Sequence, residues 1–184
     1  MASFADKADF EVRWLPFQLN PDAPREGANK LQYYYEKFGP DRVAQFMPRM
    51  EQVFAEIGAK YSLGGLTGNT MDGHRLLTWS EQFGPAAQNA LAEECFKAYF
   101  SEERYIGDRA VLLDCVGKAG LDVAAAARVL DDPQAFAAET RALMQRGRGV
   151  GGVPYFVVEK RYKMSGAQPS EVFEELFDQL LAGK

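Results

Sequence analysis

The chain has 184 residues, 47% of them hydrophobic, and a formal net charge of −5. This length and apolar content are enough for one sizeable core, and they favour one domain with a helical subdomain over two independent domains. With a negative net charge, the chain has no stripe of basic residues that could bind nucleic acid. No apolar run reaches the roughly 18 residues that a membrane-spanning helix needs. We therefore expect neither nucleic acid nor a membrane as a partner.

The cysteine content and the first residues predict where the protein works. The chain opens with acidic residues and has no apolar run typical of a secretory signal peptide. Its two cysteines, Cys95 and Cys115, are a number typical of proteins in a reducing compartment. The sequence therefore predicts a cytoplasmic protein with free thiols.

A strand is predicted near the start of the chain. Phe10, Val12 and Trp14 alternate with charged residues in the two-residue period of a strand with one buried face. Pro16 ends this pattern, and a loop rich in Pro, Asp and Gly follows over residues 20–27.

Residues 29–146 have an almost wholly helical pattern, because apolar residues recur with the 3.6-residue period. We expect a kink or a new helix at Pro48. Asn69 or Thr70 is expected to cap one helix, and Asp108 a later one.

The segment 149–169, GVGGVPYFVVEKRYKMSGAQP, predicts a β-hairpin. A glycine-rich turn leads to Val153 and Pro154, then to an apolar run, a charged turn, a second short strand and a Ser-Gly break. An amphipathic helix follows, which we expect to begin at Ser165. The predicted order is therefore strand, long helical block, two strands and helix.

This hairpin resembles the closing hairpin of a thioredoxin-fold domain, and specifically that of the DsbA-like, FrnE-type family of disulfide oxidoreductases. The segments WLPFQLNPDAPREG (14–27) and GLTGNTMDGHRLLTW (65–79) resemble the same family, in the same order. The resemblance implies an α/β, thioredoxin-like fold with a large helical insertion. Residues 1–28 and 147–184 would form the thioredoxin-like core, and residues 29–146 the insertion.

One part of the family pattern is absent. The family begins with a strand, a Cys-x-x-Cys and a long helix, whereas this chain has only Met1–Asp9 there and no Cys-x-x-Cys. The resemblance therefore implies an N-terminally truncated, incomplete core. In the family the missing strand lies between the strands predicted at 10–17 and 154–159. We expect these two to pair with each other, to accept a strand from another chain, or to leave the protein poorly stable.

The resemblance also implies a substrate site. In the family the X-Pro bond of the hairpin is cis, and the residue before it offers its backbone to an extended peptide or small thiol substrate; here these residues are Val153 and Pro154. Ser165, Gly166 and Gln168 are expected to begin the last helix, whose N-terminus can hold an anion. A further polar site is expected from Asn69, Thr70 and His74, although a lone histidine in a first helical turn is usually a packing or capping residue.

No catalytic residue, metal ligand or cofactor is expected. Cys95 and Cys115 both lie on apolar helical stripes, which predicts buried, inert thiols. The leading hypothesis is a DsbA-like protein that is redox-inactive in this form. Three alternatives stay open: a relative of the glutathione-dependent isomerases and kappa-type transferases, a non-catalytic binding protein or homodimer formed through an unpaired strand edge, and an incomplete gene model.

Overall fold

The computed structural model describes residues 1–183, and the chain divides into two compact units. The first, called here the helical unit, is Val12–Gln145. The second, the hairpin unit, combines Met1–Glu11 with the segment that begins at Arg146.

The helical unit contains seven helices and one very short antiparallel sheet among the described residues. The sheet pairs β1 (Ala28–Asn29) with β2 (Leu66–Thr67). The helices are α1 (Lys30–Phe38), α2 (Pro40–Glu56), α3 (Met71–Ser80), α4 (Pro85–Phe100), α5 (Arg109–Lys118), α6 (Val123–Asp131) and α7 (Ala137–Arg146).

Local capping signals account for most helix starts. Asp108 accepts hydrogen bonds from the backbone N–H groups of Ala110 and Val111 at 2.8 and 3.0 Å, which caps α5 as predicted. Pro85 occupies the first position of α4, where its missing N–H is harmless. In α3, Thr70 occupies the capping position without a side-chain capping bond, and the side chain of Asn69 accepts from the Met71 N–H at 3.0 Å instead.

Of the two outcomes expected at Pro48, a kink or a new helix, the new helix does not form. Pro48 lies inside α2, which runs without interruption over Pro40–Glu56. The helix continues because its buried apolar face packs against a second segment: Val43 is buried with Tyr61 and Leu63 in one cluster. Tertiary packing therefore outweighs the lost backbone hydrogen bond.

Two apolar clusters form the core of the helical unit. The smaller one is that of Val43, Tyr61 and Leu63. The larger one joins α3, α4, α5 and α6 through Leu76, Trp79, Leu91, Cys95, Ala98, Leu112, Cys115, Val116, Ala126 and Val129.

The strand predicted over residues 10–17 does not form. These residues are extended and alternate largely between exposed and less exposed positions, as the period predicted, but they belong to no sheet. The buried side chain of Gln88 takes the place of a neighbouring strand. Its amide accepts from the Trp14 N–H at 2.9 Å and donates to the Trp14 carbonyl at 3.1 Å. A side chain thus satisfies backbone groups that a strand would have paired.

The hairpin unit contains β3 (Tyr155–Val158), β4 (Tyr162–Ser165) and α8 (Ser170–Ala182). The two strands are antiparallel, with Tyr155 opposite Ser165 and Val158 opposite Tyr162. Aromatic rings fill the interior of this unit: Phe156 lies 5.0 Å from Phe173 between ring centroids, and Phe4 and Phe10 lie 5.5 and 5.0 Å from Phe177.

One further expectation about this region is wrong, and one of the three alternatives for the unpaired strands does not occur. Helix α8 begins at Ser170 rather than at Ser165, because Ser165 is the last residue of β4 and Pro169 occupies the capping position. Within residues 1–183, β3 pairs only with β4, so the predicted strands at 10–17 and 154–159 do not close on each other.

Candidate functional site

The Val153–Pro154 loop immediately precedes β3. It follows a glycine-rich turn in which the Val150 N–H donates to the Gly147 carbonyl at 3.0 Å. The Val153–Pro154 peptide bond is cis. Val153 is 46% exposed, and Pro154 is also exposed. The loop therefore presents an apolar side chain and peptide backbone to solvent.

Backbone and side-chain hydrogen bonds join this loop to the end of β4. The Gly166 N–H donates to the Pro154 carbonyl at 2.9 Å, next to the Tyr155–Ser165 pair. Gly166 has a φ of 81°, a conformation that glycine adopts without steric penalty. The Gln168 side chain donates to the Ser165 carbonyl at 2.9 Å. The structure thus brings Ser165, Gly166 and Gln168 to the same end of the hairpin as Pro154.

Val153 has unpaired backbone groups at this end of the hairpin. Over residues 1–183, neither its N–H nor its carbonyl takes part in a backbone hydrogen bond, and the ladder begins only at Tyr155. Free backbone donors and acceptors beside a strand can pair with an added extended chain. The anion site was expected because Ser165 would lie at the N-terminus of the last helix. Ser165 does not belong to the first turn of α8, so it is not at that N-terminus.

Asn69 has a structural role in the helical unit. Its carbonyl oxygen accepts from the Tyr105 hydroxyl at 2.9 Å, and its side chain accepts from the Gln18 amide at 3.0 Å. The same side chain donates to the Pro21 carbonyl at 3.0 Å and caps the N–H of Met71. Each polar atom of the Asn69 side chain is therefore occupied within the protein.

His74 is partly buried in α3 and neutral at pH 7. Burial lowers the pKa of its imidazole to about 4, although a hydrogen bond to the backbone of Phe17 acts in the opposite direction. Its N–H group in the main chain donates to the Thr70 carbonyl at 3.0 Å, as in a regular helix. A neutral ring hydrogen-bonded to the backbone is typical of a packing residue.

The two cysteines lie in the larger core cluster. Cys95 is in the middle of α4 and Cys115 in the last turns of α5, and both are buried and free. The Cys115 thiol contacts the Glu94 carbonyl as a donor at 3.6 Å. The prediction that both are core residues is confirmed, and neither sulfur can reach a protein substrate from this position.

A charged cavity of about 430 Å³ in the helical unit was not predicted. Its lining includes Arg25 and Glu26 from an early segment of the chain. Glu103, Asp108 and Arg109 line it from a much later segment. The adjacent opposite charges at 25–26 and 108–109 are the only signal in the sequence. This sequence pattern does not predict that the two charged pairs lie close together in space, because only folding brings them together.

Two searches of the described residues bear on ligand and membrane binding. Over residues 1–183, no group of three or more His, Cys, Asp or Glu side chains could hold a metal ion. In the same part of the chain, no helix is both long and apolar enough to cross a membrane.

Comparison with known proteins gives the family. A family model described as the DSBA-like thioredoxin domain matches residues 1–178. The chain belongs to this family. The crystal structure of a probable DsbA oxidoreductase from Streptomyces coelicolor is also similar, with a TM-score of 0.81 and 31% sequence identity, over 91% of this chain and 74% of that chain. No curated protein matches.

The DSBA-like assignment confirms the predicted α/β, thioredoxin-like fold. The match to the DSBA-like thioredoxin domain extends over both units and includes every residue predicted for the substrate site and the polar site. Oxidoreductase is the description of the Streptomyces protein. The 184 residues of this chain contain no Cys-x-x-Cys.

Proposed function

We propose that this chain is a FrnE-type member of the DSBA-like family that binds extended peptides and does not exchange disulfides with them. The observation that carries the proposal is the absence of a Cys-x-x-Cys from all 184 residues. Disulfide exchange needs an accessible thiolate of lowered pKa and, close by, a second cysteine that resolves the mixed disulfide. Cys95 and Cys115 are both buried, so neither meets the first requirement.

The peptide-binding part of the proposal is supported by the Val153–Pro154 loop. The unpaired backbone of Val153 lies beside a hairpin whose β3 strand has one neighbour among the described residues. An extended peptide would add to this loop through main-chain hydrogen bonds, and side chains around the loop would select the sequence. Ser165, Gly166 and Gln168 border the same end of the hairpin and would complete the site.

Redox activity is tested with insulin as the disulfide substrate. We expect the purified chain to reduce insulin, and to oxidise a dithiol peptide, no faster than the uncatalysed background. Cys95→Ala and Cys115→Ala are the control variants and should give the same background rate. Turnover above background that either alanine substitution abolishes would overturn the proposed lack of exchange activity.

Peptide binding is tested at Val153 with S-carboxymethylated insulin B chain, an unfolded probe without thiols. Val153→Pro removes one N–H donor and should weaken binding about tenfold, which corresponds to one lost hydrogen bond. Val153→Ala is the matched control, because it keeps the backbone groups and should change affinity less than about threefold. Fluorescence anisotropy gives both affinities, and equal binding by the two variants would contradict backbone recognition.

The alternatives predict other outcomes. Saturable retention on immobilised glutathione would favour the glutathione-dependent isomerase and kappa-type transferase branch; Gln168 replaces the aspartate typical of that branch, and its amide is engaged with Ser165. A homodimer formed through the free edge of the hairpin would elute at twice the monomer mass on size-exclusion chromatography. A monomer that melts cooperatively would argue against it.

Two further parts of the proposal concern organisation and location. Residues 1–28 and 147–184 would be the thioredoxin-like core, with residues 29–146 as its helical insertion. The protein would work in the cytoplasm, where glutathione and thioredoxin keep thiols such as the two free cysteines reduced. Cell fractionation that recovers the protein outside the cytoplasm would contradict this location.

A further inference from the structure

The side of β3 that faces away from β4 has backbone groups that no other strand of residues 1–183 pairs with. In an antiparallel pair of strands, residues that exchange hydrogen bonds with the neighbour alternate with residues that do not. The Gly166 N–H donates to the Pro154 carbonyl, so Phe156 is the next residue of β3 that bonds to β4. Tyr155 and Val157 therefore turn their N–H and carbonyl groups away from β4.

These groups continue the unpaired backbone of Val153. Val153, Tyr155 and Val157 are two residues apart, which is the period at which a strand presents its groups to one side. We call these three residues the β3 edge. Val157 is 51% exposed, so its end of the edge is open to solvent like the Val153 end. At a rise of about 3.3 Å per residue, the edge is about 13 Å long and fits about five residues of an extended peptide.

The charged side chains around the β3 edge are almost all positive. Residues 146–170 contain five basic side chains and one acidic side chain, Glu159. The five basic side chains are all exposed, and within residues 1–183 none of them forms an ion pair: Arg146, Arg148, Lys160, Arg161 and Lys163. Their charges are therefore available to a partner.

The strand register places these charges along the edge. Lys163 lies directly opposite Val157 on β4, and both side chains are exposed. Because this pair does not exchange hydrogen bonds, its Cα atoms are about 4.5 Å apart. Arg146 and Arg148 come just before the edge in the chain, and the other two cations lie in the turn between β3 and β4.

The other carboxylates of the hairpin unit lie on different elements. They belong to α8 and to the segment Met1–Glu11, whose aromatic rings contact Phe177 of α8. Helix α8 lies on the hairpin face of Phe156, whose ring is 5.0 Å from that of Phe173 between centroids. Side chains alternate between the two faces of a strand, so Val157 is on the opposite face. The β3 edge therefore borders a positive surface, which fits an anionic partner.

We propose that the β3 edge selects extended peptides that carry acidic side chains. This inference rests on the proposed peptide binding and adds the class of peptide. Main-chain hydrogen bonds to the edge would hold the peptide, and its carboxylates would lie beside Lys163 and the two arginines. A second copy of the chain fits less well, because it would bring the same cations to the edge. Nucleic acid has no peptide backbone that could pair with a strand.

The selection is tested with labelled peptides that share their apolar residues and have glutamate, glutamine or lysine at the remaining positions. In fluorescence anisotropy with the full chain, the glutamate peptide should bind about tenfold more tightly than the glutamine peptide, and the lysine peptide most weakly. Sodium chloride at about 0.5 M should reduce the tenfold difference to less than about threefold, because salt screens exposed charges.

Lys163→Gln removes one exposed positive charge beside the edge. It should weaken binding of the glutamate peptide about threefold and leave binding of the glutamine peptide unchanged. Lys60→Gln is the matched control, because Lys60 is an exposed lysine of the helical unit; its affinities for both peptides should equal those of the wild type. Thermal melting checks that both variants fold.

The possible outcomes separate this inference from the proposed function. Equal affinity for the three peptides would overturn the selection of acidic peptides and leave the proposed peptide binding intact. If none of the three peptides binds, and S-carboxymethylated insulin B chain does not bind either, both proposals are wrong. Displacement of the glutamate peptide by oligothymidylate at lower concentration than by unlabelled peptide would identify nucleic acid as the partner instead. A homodimer that excludes the peptide would likewise overturn the selection.

Discussion

Lys30 is a buried ionisable residue of the helical unit. It is 1% exposed. Its ammonium group donates to the Tyr99 carbonyl at 2.6 Å and lies 4.1 Å from the centroid of the Tyr99 ring. Burial lowers its pKa to about 8, although the negative charge of Glu103 opposes the shift. Backbone oxygen atoms and an aromatic face therefore hold a cation that the core would otherwise exclude.

This arrangement predicts how stability depends on pH. The pKa of Lys30 is about 8 in the folded chain and 10.5 in the unfolded one. Between these values the unfolded state binds more protons, so the contribution of Lys30 to the free energy of unfolding rises as pH increases from about 8 to 10.5. Urea unfolding at about pH 7 and pH 10 should show a larger gain for the wild type than for Lys30→Met.

Lys97→Met is the matched control for this measurement. Lys97 also belongs to the helical unit, and its side chain is 57% exposed, so the variant removes a positive charge without touching a buried one. The comparison of variants cancels the titration of tyrosines such as Tyr99. Equal pH dependence of the wild type and Lys30→Met would contradict the lowered pKa.

At the scale of secondary-structure elements, the side chain of a glutamine makes hydrogen bonds that a neighbouring strand would otherwise make. The extended segment at Trp14 has the alternating burial of a β-strand, yet its backbone is paired by the Gln88 amide of α4. Gln88 is 1% exposed and also donates to the Leu77 carbonyl at 3.1 Å. Three elements therefore meet at one side chain, and its loss would leave several buried groups without partners.

Gln88→Leu should lower the free energy of unfolding by about 2 kcal/mol, because it leaves the Trp14 N–H and carbonyl unpaired at nearly constant volume. The control is Gln52→Leu in α2, where an exposed amide donates only to Glu56 at 3.2 Å; its effect should stay within about 0.5 kcal/mol. Urea unfolding checks both. A Gln88→Leu protein as stable as the wild type would show that water replaces these bonds.

At the scale of the whole molecule, the two units differ in how much they bury. No residue of β3, β4 or α8 is buried, whereas α4 alone has five buried residues: Gln88, Leu91, Ala92, Cys95 and Ala98. Local stability follows the number of buried apolar contacts. The hairpin that borders the candidate site is therefore the region that should open most readily.

Hydrogen exchange followed by mass spectrometry tests this difference. Peptides from β3, β4 and α8 should exchange faster than peptides from α4 and α5, by about tenfold or more at neutral pH. Addition of S-carboxymethylated insulin B chain should slow exchange in the hairpin and leave α4 unchanged. Equal protection in the two units of the free protein would contradict the expectation.

The predictions from sequence succeeded where the signal is local. Asp108 caps α5 as predicted, because a capping side chain acts within one helical turn. The hairpin was predicted for the same reason: its strands are short and joined by a tight turn. No new helix starts at Pro48, because the cost of a proline inside a helix is local, whereas the packing that offsets it is not.

For the candidate site, the sequence predicted some features and missed others. Val153 and Pro154 came from the family resemblance together with the hairpin pattern, and Ser165, Gly166 and Gln168 lie beside them because they follow on the neighbouring strand. The role of Ser165 as a helix start was wrong, since the second strand continues to that residue. The charged cavity near Arg25 and Arg109 could not be foreseen, because its sides are far apart in the sequence.

The sequence by itself determined the helical segments, the hairpin and the lack of a Cys-x-x-Cys, since each depends on residues within a few positions of one another. Only the tertiary structure decided that Gln88 pairs a segment 74 positions earlier, and that Cys95 and Cys115 belong to one core cluster. Hydrogen bonds and packing contacts act over a few ångströms in space. Which distant residues come within that range depends on how the helices pack, and no local pattern records it.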